Sequence, residues 1–157
     1  NQPYLWMLLR GQMGAAALFT GDTQGAQDAF REELALCREL VVLPAASLGL
    51  AGLAAVAVLH GDLARAARLC GAAAAHHYGQ PHGPVQGRLR ARYLEPARTG
   101  FGPDTWDAAV RAGSALSFKQ AIDYAVTNRA NTPVPSPPLR PLPRAIRSGP
   151  TSDKEIG

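Results

Sequence analysis

A Gly-Asp pair that occurs twice, 40 residues apart, constrains the fold of this chain more than any other feature of its sequence. The pair appears as Gly21-Asp22 and again as Gly61-Asp62. Glycine accepts the left-handed conformation that ends a helix, and aspartate accepts hydrogen bonds from the free N–H groups that start the next helix. A small residue, Ala26 or Ala66, follows where two helices can approach closely. The sequence therefore predicts two α-hairpins of one design.

Further matches at the same spacing extend the repeat beyond the turns. Leu8 matches Leu48, and the small residues Gly14 and Ala17 match small residues 40 positions later. This pattern resembles the tetratricopeptide repeat, a helix pair with a period of about 34 residues. The longer period predicts helices longer than usual. The alternative is an ordinary helical bundle that contains two similar hairpins.

Apolar residues recur at helical spacing along most of the chain. Hydrophobic residues make up 46% of the sequence and aromatic residues only 6%, so the core must consist largely of Ala, Leu and Val, which favours close helix packing. We expect an all-α fold in which antiparallel helix pairs stack as a tetratricopeptide-like solenoid of about six helices. The predicted helices cover about residues 4–19, 23–40, 44–60 and 62–78, then a helix from Pro84 that Pro96 should end or kink, and short closing helices around Trp106 and after Ser117.

Helical spacing also predicts which side chains are buried. Glu32 and Glu33 are neighbours that point to different sides of their helix, so we expect a solvated face rather than an acid/base pair. Two cysteines lie on apolar stripes and are expected to be reduced core residues rather than a disulfide. The predicted buried faces are Trp6, Leu9, Met13 and Ala16 in the first helix and Ala26, Phe30, Leu34, Cys37 and Val41 in the second, while Cys70 lies on the stripe of the fourth.

The C-terminal third contains a helix stop, a helix start and a proline-rich stretch. We expect the short helix around Trp106 to end near Gly113, and Ser117 to cap a last helix with Gln120 in a capping box. The stretch from Thr132 to Pro143 predicts an extended linker. The predicted organisation is a helical repeat domain at residues 1–127, followed by a disordered Pro-rich tail at residues 128–157.

Two segments carry a resemblance to a known family. Residues 50–57, the second Gly-Asp turn and the Ala-rich residues 65–74 resemble the C-terminal helical repeats of large bacterial signal-transduction ATPases, including LuxR-type transcriptional regulators. Residues 152–157 resemble the start of the helix-turn-helix signature that follows a Pro-rich linker in those regulators. The closing pattern of the family is matched by Trp106, Ala109, Val110, Gly113, Leu116, Ser117, Ala121, Ile122 and Ala125.

This resemblance implies a protein-interaction module that relays a signal between an upstream ATPase module and a downstream DNA-binding domain. The expected partners are other domains of the same regulator or another protein. DNA would be reached only through a downstream domain, no membrane partner is expected, and exposed repeat ends could self-associate. The missing Met at position 1 suggests that sequence precedes this segment. We expect a cytoplasmic protein with no cofactor, no metal and no enzymatic activity. The residues expected to matter are structural: Gly21, Asp22, Ala26, Gly61, Asp62, Ala66, Gly113 and Ser117.

Three other functions remain open from the sequence. A pI near 9.5 and the final Lys-Glu-Ile run suggest DNA binding by this chain itself, but several arginines lie in the proline-rich tail and no complete recognition helix is visible. A free-standing helical adaptor is a second alternative, and a small all-α enzyme is a third. The sequence has no GxxxxGK[ST] or GxSxG motif. Adjacent histidines, His76 and His77, point about 100° apart on a helix and are poorly placed to share a metal ion.

Overall fold

The structure, a computed structural model, describes residues 2–79 and 83–127. These residues fold into helices, with no strand within the two ranges, so the predicted all-α class is confirmed. The predicted tail at residues 128–157 lies outside the described residues. The helices are α1 (Gln2–Phe19), α2 (Thr23–Leu40), α3 (Ala46–Leu59), α4 (Leu63–Ala75), α5 (Pro84–Leu89), α6 (Glu95–Phe101), α7 (Pro103–Ser114) and α8 (Phe118–Val126), with a 3₁₀ turn at Leu43–Ala45 and a π-helical segment at Arg90–Leu94.

The two Gly-Asp pairs form the tight turns between α1 and α2 and between α3 and α4. Gly21 has a φ of +90° and Gly61 a φ of +77°, a region that residues with side chains rarely adopt. Asp22 and Asp62 each accept a hydrogen bond from the backbone N–H three residues later, at 2.9 and 3.0 Å. The repeated sequence therefore gives repeated local geometry, and it joins the four helices into two consecutive pairs.

Helix α3 lies at the centre of the fold. It packs between α2 and α4 and also contacts α1, α5 and the π-helical segment. Its sequence contains no charged residue, and ten of its 14 residues are buried. A helix that is apolar on every side needs neighbours on every side, which is why the third helix occupies this position.

Helix α2 is held between two Gly-x-x-Gly pairs, at residues 11–14 of α1 and 49–52 of α3. The ring of Phe30 lies against the second glycine of each pair: a Cβ added at position 14 would lie 2.8 Å from it, and one added at position 52 would overlap it. The glycines thus make room on both neighbouring helices for a large side chain of α2. This packing fixes the three helices relative to one another.

The buried face of α1 is not the predicted one. Trp6, Leu9, Met13 and Ala16 are exposed, so this prediction is wrong. The reason is that the glycines lie on the other side of the helix, where α2 can approach closely. The buried face of α1 consists of Met7, Gly11, Gly14, Ala15 and Leu18.

The stripe predicted for α2 is buried except at its end. Val41 is 70% exposed and adopts a left-handed conformation with a φ of 53° as the C-terminal cap of α2. Its side chain therefore leaves the helical stripe, and the prediction is wrong at this position. The buried members are Ala26, Phe30, Leu34 and Cys37.

Pro96 was predicted to end or kink the helix that α5 begins, and the helix does not end there. It continues into α6 through the π-helical segment, where the N–H of Glu95 bonds to the carbonyl of Arg90, five residues earlier. Proline has no N–H and clashes with the carbonyl four residues before it in an α-helix. A π-helical turn has a wider spacing, so it accommodates Pro96 without ending the helix. Leu89 and Tyr93 are buried.

The two closing helices pack against the end of the repeat. At the start of α8, the Ser117 Oγ accepts a hydrogen bond from the N–H of Gln120 at 3.2 Å, and the Gln120 side chain accepts one from the Ser117 N–H at 2.9 Å. Gly113 lies in the last turn of α7, where a Cβ would collide with the carbonyl of Arg68 in α4. A Cβ at Gly71 of α4 would collide with α7 in the same way. The α4 and α7 backbones therefore touch.

Candidate interaction surfaces

The outer side of α1 carries a group of exposed large apolar side chains. Each of the six is between 38 and 59% exposed. They occupy positions of α1 outside its buried face, and Trp6 also contacts Glu32 of α2. We call this group the α1 face; it comprises Tyr4, Leu5, Trp6, Leu8, Leu9 and Met13.

The charges beside the α1 face are paired with each other. Arg10 is the only charged residue of α1, and its Nε lies 3.0 Å from a carboxylate oxygen of Glu32. The Arg10 guanidinium also lies 4.5 Å from the centre of the Trp6 ring, and the Trp6 indole N–H donates to Glu32 at 3.3 Å. The edge of the face is therefore electrically neutral, and it favours an apolar partner over an ion.

A cleft of about 640 Å³ lies between α3, α4, α7 and the continuous helix from α5 to α6. We call it the central cleft. Its polar residues include Ser47, Gln86, Arg90, Glu95, Arg98 and Asp107. Its apolar lining includes Ala51, Cys70, Ala73, Ala74, Leu94 and Val110.

Charged side chains of the central cleft form two ion pairs. Arg90 lies 3.1 Å from Glu95, and Arg98 donates two parallel hydrogen bonds, of 3.2 and 3.1 Å, to Asp107. The hydrogen bonds from Arg98 lower the pKa of the Asp107 carboxyl, so this group stays ionised. The second pair ties α6 to α7. The cleft therefore presents a neutral polar edge around an apolar interior.

The two cysteine thiols are protonated at neutral pH. Both are free thiols, and burial raises the pKa of Cys70, in the cleft, and of Cys37, in the core, to about 12. A thiol is nucleophilic only as the thiolate. Neither side chain is therefore set up as a nucleophile at neutral pH.

A buried polar cluster lies at one end of the central cleft. The Ser47 Oγ accepts a hydrogen bond from Gln86 at 3.0 Å and lies 3.2 Å from the Ala73 carbonyl and 3.3 Å from the His77 Nδ1. A hydroxyl has one proton to donate. All three contacts are satisfied when Ser47 donates to Ala73 and the His77 Nδ1 carries the proton. In that arrangement His77 does not take the serine proton, and the contacts of Ser47 join α3 to α4 and α5.

Glu33 is buried, contrary to the prediction that it lies on a solvated face. It is 1% exposed, and its Oε2 has no hydrogen-bond partner in the described part of the chain. Its carboxyl lies between α1 and α3: a Cβ at Gly11 would overlap it, and one at Gly49 would lie 2.9 Å from the Oε2. Burial raises the pKa of this carboxyl well above its usual value of 4.5. Glu33 follows Phe30 by three residues and precedes Cys37 by four, so it lies on the buried stripe of α2, but this spacing does not by itself show that a carboxyl is covered.

The residues predicted to have structural roles do not gather into one site. Neither do the histidines: the His76 Nε2 lies 2.9 Å from the Leu116 carbonyl and its Nδ1 3.0 Å from the Tyr78 hydroxyl. In residues 2–79 and 83–127, no three His, Cys, Asp or Glu side chains are grouped to hold a metal ion. The eight predicted residues lie in the two turns (Gly21, Asp22, Gly61, Asp62), in the buried faces of α2 and α4 (Ala26, Ala66), and around the link from α7 to α8 (Gly113, Ser117).

No family model matches the chain. Comparison with curated proteins found no match, and neither did comparison with solved structures. The resemblance to LuxR-type regulators therefore stays a prediction. Of the helices in the described ranges, none combines the length and the apolar character needed to cross a membrane.

Proposed function

We propose that this chain is a protein-interaction module built from tetratricopeptide-like helical repeats. The observation that carries the proposal is the α1 face. Soluble proteins rarely expose contiguous apolar patches of large side chains unless the patch binds a partner. Covering such side chains stabilises a complex by about 25 cal/mol for each Å² removed from water. A neutral, apolar helix face suits another folded protein surface better than a nucleic acid, which needs unpaired cations.

The central cleft supports the same function. Stacked helix pairs present concave surfaces that bind other polypeptides, and this cleft combines an apolar interior with a polar edge. Its volume falls within the usual range of about 300–1,000 Å³ for binding pockets. We infer that it accepts side chains of a partner, with the Arg90–Glu95 pair at its edge free to rearrange because both groups are more than half exposed.

The setting we propose for the module is a cytoplasmic bacterial transcription regulator of the LuxR type. The resemblance of residues 50–57 and 65–74 supports this setting, together with the Lys-Glu-Ile run near residue 157. In that setting the module relays a signal from an ATPase module to a DNA-binding domain. Sequencing the intact gene tests the setting. An ATPase module before this segment and a helix-turn-helix domain after it are expected, and a gene that encodes neither would overturn it.

A site-specific photocrosslinker tests the interaction itself. The photoreactive residue benzoyl-phenylalanine is placed at Leu9, in the α1 face, and in a separate variant at Arg88, an exposed position of α5. The intact protein is irradiated in its own cells and the adducts are mapped by mass spectrometry. We expect Leu9 to give one discrete protein adduct and Arg88 none. The absence of a discrete adduct at Leu9, or equal adducts at both positions, would contradict the proposal.

A further inference from the structure

The 40-residue repeat shows which element of the fold is equivalent to the α1 face. The two Gly-Asp turns align α1 with α3. Four exposed positions of α1 therefore have counterparts on α3 that are buried, whereas the counterparts of Tyr4, Leu5 and Leu8 are exposed or only partly covered. The four pairs with a buried counterpart are Trp6 with Ala46, Leu9 with Gly49, Met13 with Leu53 and Ala16 with Val56.

On α3, the equivalent face is covered by α2. A Cβ at Gly49 would lie 2.9 Å from the side chain of Leu34, and one at Gly52 would overlap the ring of Phe30. Both of these side chains belong to the second helix of the first hairpin. The interface between α2 and α3 is therefore a second helix of one hairpin packed on the first helix of the next.

At the two glycines of α3 that α2 covers, α1 carries larger side chains. Where α3 has Gly49 and Gly52, α1 has Leu9 and Gln12. On α3, the large residues come from the covering helix, and the small ones from the covered helix. On α1 the large residues belong to α1 itself. A partner helix that packs closely on α1 must therefore carry small residues at the contact.

We propose that the α1 face is the docking site for the second helix of another hairpin of this repeat type, one that carries Ala or Gly where α2 carries Phe30 and Glu33. The partner's second helix packs on α1 in the same way that α2 packs on α3. This proposal rests on the proposed function and names the partner that the module binds. Charge supports the same partner, because the Arg10–Glu32 pair leaves the edge of the face neutral.

A second copy of this chain does not supply that helix. Among residues 2–79 and 83–127, α2 is packed between α1 and α3, and α4 between α3 and α7. Both second helices are therefore covered within their own chain. The hairpin that docks on α1 must have a second helix that is not covered in this way, and the isolated chain is expected to be a monomer.

Two synthetic peptides test the size rule. One has the sequence of Thr23–Leu40, and the other has the same sequence with Phe30→Ala and Glu33→Ala; both also carry Cys37→Ala to prevent oxidation. Each peptide is labelled with a fluorophore and titrated with the full chain while anisotropy is measured. We expect the small-residue peptide to bind about tenfold more tightly or better, because the unaltered peptide would set the large side chains of Phe30 and Glu33 against Gln12 and Leu9.

Two matched variants place the binding site. Leu9→Asp changes the α1 face, and Leu59→Asp changes a leucine of similar exposure, 48% against 44%, at the end of α3. We expect binding to be lost in the first variant and kept in the second, with equal melting temperatures. The inference is overturned if the unaltered peptide binds equally well or more tightly, or if neither peptide binds. It is also overturned if both variants lose binding equally, or if sedimentation shows a dimer that Leu9→Asp dissociates. A discrete photocrosslink from Leu9 to a different kind of surface would overturn it too, while leaving the proposed function standing.

Discussion

Glu33 places an ionisable carboxyl in the interior, between a glycine of α1 and a glycine of α3. Helix α3 has no titratable side chain, and the only charge of α1, on Arg10, is paired with Glu32. Cys37, one turn further along α2, stays neutral because burial raises its pKa to about 12. The carboxyl is therefore favoured in its protonated form, and the folded chain binds this proton more tightly than the unfolded chain does.

The stability of the fold should consequently fall as the pH rises. The unfolded carboxyl loses its proton near pH 4.5, and the folded one only at higher pH, because burial raises its pKa. Between these two values the native state holds the extra proton, so the free energy of unfolding decreases by at most about 1.4 kcal/mol per pH unit. Glu33→Gln cannot ionise. We expect its stability to exceed that of the unaltered chain at pH 7–8 and to match it within about 1 kcal/mol near pH 4, measured by urea unfolding across this range.

Glu32→Gln is the matched control at the neighbouring position. This substitution removes an exposed ion pair with Arg10, which is worth about 0–1 kcal/mol, and leaves the interior carboxyl in place. The decline of stability with pH should persist in Glu32→Gln and be reduced in Glu33→Gln. A decline of the same slope in both variants would show that Glu33 ionises outside this window or is reached by water.

The residues that could be predicted from sequence have partners a few positions away. Asp22, Asp62 and Ser117 cap helices through bonds to backbone groups three residues later, so spacing along the chain is enough. Glu33 required more. Its burial depends on glycines that approach from two other helices, and helical spacing alone cannot show that a carboxyl will be covered instead of solvated.

At the scale of helices, the crossing of α4 and α7 depends on glycine at both contact points. A Cβ at Gly71 would collide with the carbonyl of Val110, and one at Gly113 with the carbonyl of Arg68. These neighbours are backbone atoms, which cannot move aside as a flexible side chain can. The crossing therefore admits no side chain at either position without separating the helices.

Gly113→Ala should destabilise the fold although alanine is the better helix former. In an open helical position, Gly→Ala stabilises by roughly 0.5–1 kcal/mol; here the added methyl group forces the helices apart, and overpacking of this kind costs about 1–3 kcal/mol or more. Gly100→Ala in α6 is the control, because nothing lies within 4 Å of its added Cβ. Thermal unfolding should show a lower melting temperature for Gly113→Ala and an equal or higher one for Gly100→Ala. Equal effects of the two substitutions would contradict the close crossing.

Helices as units were predicted better than their orientation. The first four helices and their turns follow from local periodicity and from the Gly-Asp pairs. The rotation of α1 does not, because both sides of this helix are apolar and only the glycines decide which side meets α2. Pro96 was predicted to end or kink its helix, and the sequence did not show that a π-helical segment would carry the helix through it. The central cleft, which four helices build, had no sequence signal at all.

At the scale of the whole molecule, α8 is held against the two helical hairpins by residues distant from it in the sequence. Helix α8 packs against α2, α3 and α4. The Nη2 of Arg65, in the first turn of α4, lies 3.2, 2.9 and 3.3 Å from the carbonyl oxygens of Tyr124, Ala125 and Thr127. Carbonyls at the end of a helix lack partners within it, and a cation is favourable there. Arg65 thus caps α8 from a hairpin about 60 residues earlier in the sequence.

Arg65→Ala should therefore loosen α8 more than the rest of the fold. Hydrogen bonds from a charged donor contribute about 1.5–3 kcal/mol when buried; because Arg65 is partly exposed, we expect a loss of about 1–2 kcal/mol in the free energy of unfolding. Hydrogen exchange should accelerate at the backbone amides of α8 and remain slow in α2. Arg65→Lys should recover part of the loss, since an ammonium keeps the charge without the planar fork. Arg68→Ala is the control: its guanidinium lies 5.5 Å from the Tyr124 ring, and equally fast exchange in this variant would show that the ring contact, not the carbonyl cap, holds α8.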